Sequence, residues 1–380
     1  MPHLVAAFDK FRGTATAAEL SGAAARAARA AGWSAEEIPL ADGGEGTLDA
    51  LARVLGGELR QTTVRGPLGE PVDAPWLFVP DGLGRLPAPE RLALLGPAGT
   101  RDGGGPDHAG GPVAVVEAAL AAGRALLPSP QGNDPVEART DGVGDLIAAA
   151  LGAGARLVIV AVGGSATTDG GLGAVSALGT ATLLGRAELV VACDVSTPFR
   201  MAAETFAPQK GATPEQVTEL AARLGTLADR YRDELGVDVD RLEGAGAAGG
   251  LAGGLAALGA RLVPGFALVA ALVGLDREVA SADLVTTGEG RLDATSFSGK
   301  VVGGVLDSAG GAVRTLCIVG QTEAGVERHW AGRPGRVDLV SLVERVGETR
   351  ARRATARAVF DIVAEACRSW PPGVQVACPR

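Results

Sequence analysis

The stretch from Leu157 to Gly171 reads LVIVAVGGSATTDGG. Its apolar run, Leu157 to Val162, is short and nearly continuous, which is typical of a strand buried on both faces of a sheet. The side chains that follow are very small, so backbone N–H groups can approach an anion closely. Hydroxyl groups and the carboxylate of Asp169 stand among them. The pattern favours either a loop that holds phosphates and a metal ion or an ordinary strand-to-helix turn with polar caps.

Composition narrows the class of protein. The chain has 380 residues, of which 47% are hydrophobic, enough for a sizeable core and for two or three domains. The formal net charge of -9 argues against a general nucleic-acid binder. The four cysteines are scattered without a C-x-x-C pair, and the three histidines lie far apart. This usage argues against a zinc site, a disulfide framework and a Ser-His-Asp triad.

The chain shows no sign of export or membrane insertion. Its N-terminus lacks the basic-then-apolar pattern of a signal peptide, and no apolar run reaches the length of a membrane span. We therefore expect a soluble cytoplasmic protein that binds a small molecule and neither nucleic acid nor membrane. A homodimer is compatible with this expectation.

The first sixty residues alternate strands, charged loops and helices. Leu4 to Ala7 is typical of a short buried strand, and a second strand is predicted near Glu37 to Leu40. Each is followed by a charged loop and a helix, the rhythm of a parallel α/β sheet, in which ligands bind outside the carboxyl ends of the strands. The charged residues at these two ends are Asp9, Lys10, Arg12, Asp42 and Glu45. Any one of them could equally be a charge at the start of a helix.

The middle of the chain contains a predicted hairpin and a predicted surface loop. Leu59 to Val79 alternates apolar and polar residues around Gly66-Pro67-Leu68-Gly69, a good hairpin turn. Pro80 to Pro112 is rich in Gly, Pro and Arg, which indicates a surface loop.

Two glycine-rich segments approach nucleotide-binding motifs without meeting their requirements. Gly244 to Gly249 matches G-x-G-x-x-G, but the residues before it are polar, so a closely packed Gly/Ala helix is the better interpretation. Ser298-Gly299-Lys300 follows a predicted strand, Asp283 to Thr286, yet lacks the Gly and the Ser or Thr of a Walker A loop. The loop between that strand and the next helix nevertheless carries Glu289, Arg291, Asp293 and Lys300.

Phosphoryl transfer is the chemistry that these strand ends suit best. It needs Gly-rich anion loops, carboxylates for Mg²⁺, cations for the developing charge and a base for the acceptor hydroxyl. All four ingredients lie at predicted strand ends. A nucleophilic hydrolase would need G-x-S-x-G, which Gly163 to Thr167 does not complete. A nicotinamide dehydrogenase would need the dinucleotide fingerprint that is missing.

Six segments in order sharpen this interpretation. They are ADGGEGT (Ala41 to Thr47), GGSATTDGG (Gly163 to Gly171), ACDV (Ala192 to Val195), PQKGATPE (Pro208 to Glu215), GAGAAGGL (Gly244 to Leu251) and TGEGRLD with SGK (Thr287 to Lys300). Together they resemble the type I glycerate kinases. The resemblance implies phosphorylation of D-glycerate to 2-phosphoglycerate with ATP and Mg²⁺. It also implies an α/β fold with two domains: a flavodoxin-like parallel-sheet domain, residues 1–60 plus 285–380, and a second α/β domain, residues 61–284, inserted into it.

The motifs and their charges assign the following roles. Asp42 or Asp194 would accept the hydroxyl proton, and Lys210 would stabilise the phosphoryl charge. The predicted substrate-binding residues are Asp9, Lys10, Arg12, Glu45 and Arg291. The predicted phosphate or nucleotide contacts are Gly163, Gly164, Ser165, Thr167 and Lys300. The predicted carboxylates for Mg²⁺ are Asp169, Glu289 and Asp293. For each single residue the alternative is a helix cap or a surface ion pair.

The chain also departs from the family pattern in loops that are expected to line the pocket. Phe8 to Arg12 reads FDKFR where the family usually reads PDSFK, and Thr168 replaces an Asn. These departures leave two alternatives open. One is a kinase for a different small hydroxy or sugar acid, and the other is a paralogue that binds a metabolite without turnover.

Overall fold

The computed structural model describes residues 1–84, 111–129, 132–179, 187–329 and 337–369. The chain divides into two units, of which the first combines Met1–Ala41 with Val269–Arg380 and the second is Asp42–Leu268. This division falls at 41/42 and 268/269, and the boundaries expected from the sequence are 60/61 and 284/285. The helix Thr47–Leu55 belongs to the second unit because it packs against strands of that unit's sheet. The predicted loop from Pro80 to Pro112 lies mostly outside the described residues.

Strands and helices alternate along much of the chain. The strands are β1 (His3–Phe8), β2 (Ser34–Glu37), β3 (Glu58–Arg65), β4 (Pro71–Val79), β5 (Val113–Glu117), β6 (Leu157–Ala161), β7 (Glu188–Ala192), β8 (Arg261–Val263), β9 (Leu284–Gly288), β10 (Arg291–Leu292), β11 (Arg314–Val319), β12 (Gln321–Thr322) and β13 (Val337–Ser341). The α-helices are α1 (Ala17–Ala30), α2 (Thr47–Leu55), α3 (Ala119–Ala122), α4 (Asp141–Gly152), α5 (Leu172–Leu178), α6 (Ala202–Phe206), α7 (Pro214–Leu235), α8 (Leu251–Ala257), α9 (Gly265–Leu272), α10 (Leu275–Ala280), α11 (Val301–Ala309), α12 (Leu342–Val346), α13 (Glu348–Arg353) and α14 (Thr355–Arg368).

The first unit is built on a parallel sheet with the strand order β13-β11-β9-β1-β2. Counted within the unit this is the flavodoxin-like order 2-1-3-4-5, so the expected fold class is confirmed. Side chains on alternate positions of β11 enter two different cores. Leu316 and Ile318 pack with α1 and α14, whereas Cys317 and Val319 pack with α11. The strand order reverses between β1 and β9, which is where sheets of this type bind ligands.

The second strand begins earlier than the sequence indicates. The apolar pattern predicts a strand from Glu37 to Leu40, but β2 spans Ser34–Glu37. The main chain nevertheless continues along β1, because Ile38 N donates to Ala6 O at 2.9 Å and Leu40 N donates to Phe8 O at 2.9 Å. The apolar residues of the predicted strand therefore lie just beyond β2, where each of these two hydrogen bonds joins the chain to β1. This stretch leads the chain into the second unit.

The second unit is built on a sheet with the order β3-β4-β5-β6-β7-β8, parallel from β5 to β8 and antiparallel from β3 to β5. The predicted hairpin at Gly66 to Gly69 joins β3 and β4, and Gly66 N donates to Glu70 O at 2.6 Å. The predicted buried strand is β6, every residue of which is buried. Its side chains pack with those of α4 and α8, and this core fixes the position of the loop that follows the strand.

The G-x-G-x-x-G segment lies on no strand end. A 3₁₀ turn at Val239–Arg241 precedes it, and a second 3₁₀ turn, Ala247–Gly250, leads into α8. The segment thus lacks the strand before it that a dinucleotide-binding motif requires. The Gly/Ala helix predicted here begins only at Leu251. Among the described residues other than glycine, only Ala248 has a positive φ, with φ 55° and ψ 36°.

Replacing Ala248 by glycine is expected to stabilise the protein. The left-handed conformation costs an L-residue about 1–2 kcal/mol, and glycine avoids this cost. The greater freedom of glycine in the unfolded chain offsets about 0.4–1 kcal/mol of that stabilisation. The net increase in the free energy of unfolding should be about 0.5–1 kcal/mol, measured by urea denaturation. Ala148→Gly, in the right-handed interior of α4, is the matched control and should lose about 1 kcal/mol. Equal losses in both variants would show that the positive φ stores no strain.

Of the helices that the structure describes, none is both long enough and apolar enough to cross a membrane.

Candidate active site

Two glycine-rich motifs of the second unit lie backbone against backbone at the carboxyl ends of β6 and β7. A Cβ atom added to Gly163 would lie 2.6 Å from Gly44 Cα, and one added to Gly43 would lie 2.9 Å from Ala192 O. Gly163 N also donates to Gly43 O at 3.4 Å. Only glycine leaves room for this approach. The close contact therefore depends on the glycines of both motifs, ADGG (Ala41 to Gly44) and GGS (Gly163 to Ser165). They bring Asp42 to the end of the central strand.

The carboxylates of Asp42 and Asp194 have different surroundings. Asp194 accepts hydrogen bonds from Gly265 N at 2.6 Å and Phe266 N at 2.9 Å, and therefore caps the N-terminus of α9. Asp42 is half-buried, and no described residue donates a hydrogen bond to its carboxylate or forms an ion pair with it. Its Oδ1 lies over Gly44, 3.1 Å from the place that a Cβ atom there would take. The two carboxylates, which the sequence left equal as candidates for the base, thus differ in their hydrogen bonds.

The loop after β6 has an exposed tip and a buried base. Gly164 is exposed with φ 82°, whereas the four residues from Ser165 to Thr168 are buried. The neighbouring segment fixes both parts, because Arg124 N donates to Gly164 O at 3.1 Å and Ala166 N donates to Ala122 O at 2.8 Å. Backbone groups at the tip are therefore accessible to an anion, while the side chains of the base are directed inward.

The side chains of Ser165 and Thr167 are both buried. Ser165 is 4% exposed and its Oγ accepts a hydrogen bond from Lys210 Nζ at 3.1 Å. Thr167 is fully buried, and its Oγ1 has no partner among the described residues. That these two side chains cradle a phosphate stays a prediction. The accessible part of the loop is the Gly163-Gly164 backbone.

Asp169 holds the loop rather than facing outward. Its Oδ2 accepts from Thr140 N at 2.9 Å, Thr140 Oγ1 at 2.8 Å and Gly173 N at 3.0 Å, and its Oδ1 accepts from Gly171 N at 3.1 Å. These bonds join the starts of α4 and α5. Four donors already surround the carboxylate, so Asp169 acts in this structure as a structural cap. Its role as a magnesium ligand stays a prediction.

Lys210 is buried beneath this loop and is only 5% exposed. Its Nζ donates to Ser165 Oγ and to Thr167 O. Burial lowers the pKa of Lys210 to about 7; the charge of Asp169 opposes this shift and that of Arg124 adds to it. The predicted catalytic lysine thus contacts the loop itself.

The first unit places a second group of charged residues at its own strand ends. Glu289 follows β9, and its Oε1 is buried without a partner among the described residues. Burial raises the pKa of Glu289 to about 7; a hydrogen bond with Ser296 opposes the shift, and the negative charge of Asp9 adds to it. Asp9 follows the neighbouring strand β1, and its Oδ1 accepts from Lys10 N at 2.7 Å and lies 3.9 Å from Lys10 Nζ. These residues lie at the point where the strand order reverses.

Asp293 and Lys300 lie in the next turn of the same unit. Asp293 Oδ1 accepts from Thr295 Oγ1 at 2.6 Å and Thr295 N at 2.8 Å. The bond from the Thr295 hydroxyl holds the pKa of Asp293 below its usual value. Lys300 is the N-cap residue of α11, and its Nζ donates to Thr295 Oγ1 at 3.1 Å. The turn thus holds one carboxylate and one ammonium group together.

Three predicted substrate contacts lie on the surface of their units. Arg12 and Glu45 are exposed. Arg291 is also exposed, and its guanidinium lies 3.3 Å from the carboxylate of Glu323. For Arg291 the alternative of a surface ion pair therefore fits the structure.

Two side chains that hold the backbone near the candidate site were missed by sequence reasoning. Glu117 is 2% exposed and accepts from Gly46 N and Leu48 N at the start of α2. Asn133 Nδ2 donates to Ala166 O at 3.0 Å and to Lys210 O at 2.9 Å. The sequence signal for Glu117 was an acidic residue that ends the apolar run VAVVE. Asn133 stands in a polar segment and gave no signal.

We find no three-residue metal cluster. Across residues 1–84, 111–129, 132–179, 187–329 and 337–369, no three His, Cys, Asp or Glu side chains are grouped so that they could hold a metal ion. Asp169 belongs to the second unit, and Glu289 and Asp293 belong to the first.

Comparisons with known proteins give one consistent family. The model of the glycerate kinase family matches residues 4–185 and 181–370. The chain is 34% identical to glycerate 2-kinase from Escherichia coli over 340 residues, 80% of this chain and 81% of that protein. It is 33% identical to glycerate kinase from Bacillus subtilis over 394 residues, 92% of this chain and 95% of that protein. A crystal structure of putative glycerate kinase 2 from Salmonella typhimurium LT2 matches with a TM-score of 0.70 and 29% identity, covering 96% of this chain and 98% of that one.

Proposed function

The chain belongs to the glycerate kinase family, and we propose that it transfers the terminal phosphoryl group of ATP to D-glycerate, giving 2-phosphoglycerate. The observation that carries the proposal is the carboxylate of Asp42. It lies beside the Gly163-Gly164 tip with no partner among the described residues. A kinase needs such a carboxylate to accept the proton of the acceptor hydroxyl as the oxygen attacks phosphorus.

In the second unit, the proposed reaction uses one side chain and one stretch of backbone. Asp42 takes the proton from the glycerate hydroxyl, and the backbone at Gly163-Gly164 binds a phosphate. Two features support this division: the glycine tip is accessible, and its conformation is fixed by bonds to the segment from Ala122 to Arg124. A preorganised backbone stabilises negative charge without rearranging during the reaction. Asp194 keeps its α9 cap and is proposed as a support for the same strand end.

In the first unit, Glu289 and its acidic neighbours fit a magnesium ion. The buried Glu289 Oε1 has no partner among the described residues, and Asp9 and Asp293 add negative charge around it. Mg²⁺ takes oxygen ligands and is usually held by one or two carboxylates plus water and substrate phosphates, so a three-residue cluster is not required. When bound, the ion would neutralise charge on the ATP phosphates. Glu289, with Asp9 or Asp293, would hold it.

The remaining cations of the first unit suit the anionic parts of the substrates. Lys300 is proposed to bind a nucleotide phosphate, because its ammonium group stands at the N-terminus of α11, where the helix dipole also favours an anion. Lys10, Arg12 and Arg291 are proposed for the substrate carboxylate. Asp9 and Glu45 remain predicted substrate contacts.

A coupled ADP-release assay with ATP, Mg²⁺ and D-glycerate tests the proposed function. We expect turnover, and NMR of the product should place the phosphate on the 2-hydroxyl. Turnover with another hydroxy or sugar acid, and none with D-glycerate, would instead favour the altered-substrate alternative. Absence of turnover with a whole panel of acids, combined with a rise in melting temperature on adding one of them, would indicate a binding protein without activity.

The location and the assembly of the protein also stay predictions. We propose a cytoplasmic enzyme and allow a homodimer. Cell fractionation and light scattering after size-exclusion chromatography test the two statements separately.

A further inference from the structure

The loop from Gly163 to Asp169 is held by three sets of contacts that differ in chemistry. Backbone bonds from the Ala122 to Arg124 segment hold its tip, and the Thr140 cap holds Asp169. The third contact is made by Lys210, whose ammonium group reaches the buried base of the loop. The first two use neutral groups or a part-buried carboxylate, whereas the third places a cation in the interior.

Lys210 is itself held in place at its backbone. It ends the 3₁₀ turn Pro208–Lys210, and Asn133 donates from one amide group to both Lys210 O and Ala166 O. Asn133 therefore joins the lysine's main chain to the loop that the lysine's side chain binds. Gly249 closes the other side, because a Cβ atom added there would lie 3.0 Å from Lys210 Nζ. The ammonium group is enclosed by the loop and by the turn before α8.

A buried ammonium group is costly unless hydrogen bonds compensate for lost water. Among the described residues Lys210 forms no ion pair, so its bonds to Ser165 Oγ and Thr167 O compensate for the lost water. Both acceptors belong to the base of one loop. An apolar side chain could fill the same space, but it would leave the buried Thr167 carbonyl without this donor. The placement of a lysine amino group here is explained if the loop must keep one conformation.

We propose that Lys210 is a positioning residue that fixes Ser165 and Thr167, so that the Gly163-Gly164 tip is preorganised for a phosphate group. In this arrangement its ammonium group does not touch the phosphoryl group that is transferred. The identity of the anion as a nucleotide phosphate rests on the proposed function. The bracing of the loop does not, and the experiment separates the two.

Lys210→Met and Lys210→Gln form the first pair of variants. Methionine removes both the charge and the donors, whereas glutamine keeps a neutral donor. Hydrogen exchange of peptides covering Gly163 to Asp169 should become at least about tenfold faster in Lys210→Met and recover in part in Lys210→Gln. In the kinase assay, the KM for ATP should rise about tenfold in Lys210→Met while kcat falls less, since binding is lost more than transition-state stabilisation.

Ser165→Ala removes one acceptor of the same contact and keeps the test valid if Lys210→Met fails to fold. Its loop peptides should also exchange faster, and the Lys210→Met/Ser165→Ala double variant should lose no more kcat/KM than Lys210→Met alone, because the two residues act through one contact. Lys300→Met, in the first unit, should leave exchange of this loop unchanged.

The opposite pattern would overturn the inference. Unchanged hydrogen exchange of the Gly163 to Asp169 loop in Lys210→Met and in Ser165→Ala would show that Lys210 does not hold the loop in place. A loss of about 10³ in kcat with an unchanged KM for ATP would show that the ammonium group acts on the transferred phosphoryl group directly. Faster loop exchange in Lys210→Met, together with no turnover by the wild-type protein, would support the brace and count against the proposed function alone.

Discussion

Replacing Asp42 by asparagine is expected to lower kcat by about 10³-fold, within the range of about 10² to 10⁴ that general-base catalysis contributes. The amide cannot accept the proton of the glycerate hydroxyl. Because no described residue bonds to the Asp42 carboxylate, the change breaks no contact and should leave the melting temperature unaltered. The KM for ATP should also change little, since Asp42 is proposed to act on the acceptor.

Two further variants control this expectation. Asp49→Asn makes the same change of charge in the first turn of the neighbouring helix α2 and should retain full kcat. Asp194→Asn weakens the cap of α9, so we expect a lower melting temperature with a smaller effect on kcat. If Asp42→Asn keeps its activity while Asp194→Asn loses about 10³-fold at an unchanged melting temperature, the base is Asp194.

Replacing Asp169 by alanine is expected to lower the free energy of unfolding by roughly 3 kcal/mol or more. The carboxylate accepts from Thr140 N, Thr140 Oγ1, Gly171 N and Gly173 N, and its removal leaves these donors unsatisfied at the starts of α4 and α5. A buried donor without a partner costs about 1–3 kcal/mol, and water will reach some of the four. Urea denaturation of the two variants Asp169→Ala and Asp169→Asn measures the loss, which should be smaller for asparagine.

Asp134→Ala provides the comparison with an ordinary cap. Asp134 Oδ1 accepts from Val136 N at 3.1 Å and Glu137 N at 3.3 Å at an exposed position, so its removal should cost about 1 kcal/mol. A different outcome would support the magnesium prediction. In that case Asp169→Ala would keep the stability of the wild-type protein and require a much higher Mg²⁺ concentration for activity.

The sequence predicted the positions of the strands better than it predicted which carboxylates cap helices and which remain available as a base. The strand β6 could be predicted because a sheet buried on both faces demands a continuous apolar run, and Leu157 to Val162 supplies one. The loops at strand ends followed from the same pattern. Whether an aspartate there is a cap or a base depends on which backbone N–H groups approach it. For Asp194 those groups come from Gly265 and Phe266, about seventy residues further along the chain.

Burial was the second property that the sequence could not supply. Ser165 and Thr167 stand beside Gly164 in a polar motif, yet both side chains are buried. Lys210 donates to Ser165 Oγ and to the backbone oxygen of Thr167. Lys210 in turn gave the same sequence signal as Lys300, a lysine next to a glycine in a loop. Only the packing of Gly249 and Asn133 around it distinguishes the buried lysine from the accessible one.

The insertion of one unit into the other imposes an order on folding. The central strands β1 and β9 pair Leu4 with Leu284, so this pairing must wait until the whole second unit has been synthesised. The cost of closing such a long loop falls once the second unit has folded, because its two ends are then adjacent: a Cβ atom added to Gly265 would overlap Asp42 O. The folded second unit therefore holds close together the two chain segments of the first unit that it connects, as a turn does in a hairpin. We expect β1 to stay without its partner β9 on the ribosome until the inserted unit is complete, and variants that slow the folding of that unit to delay formation of both cores.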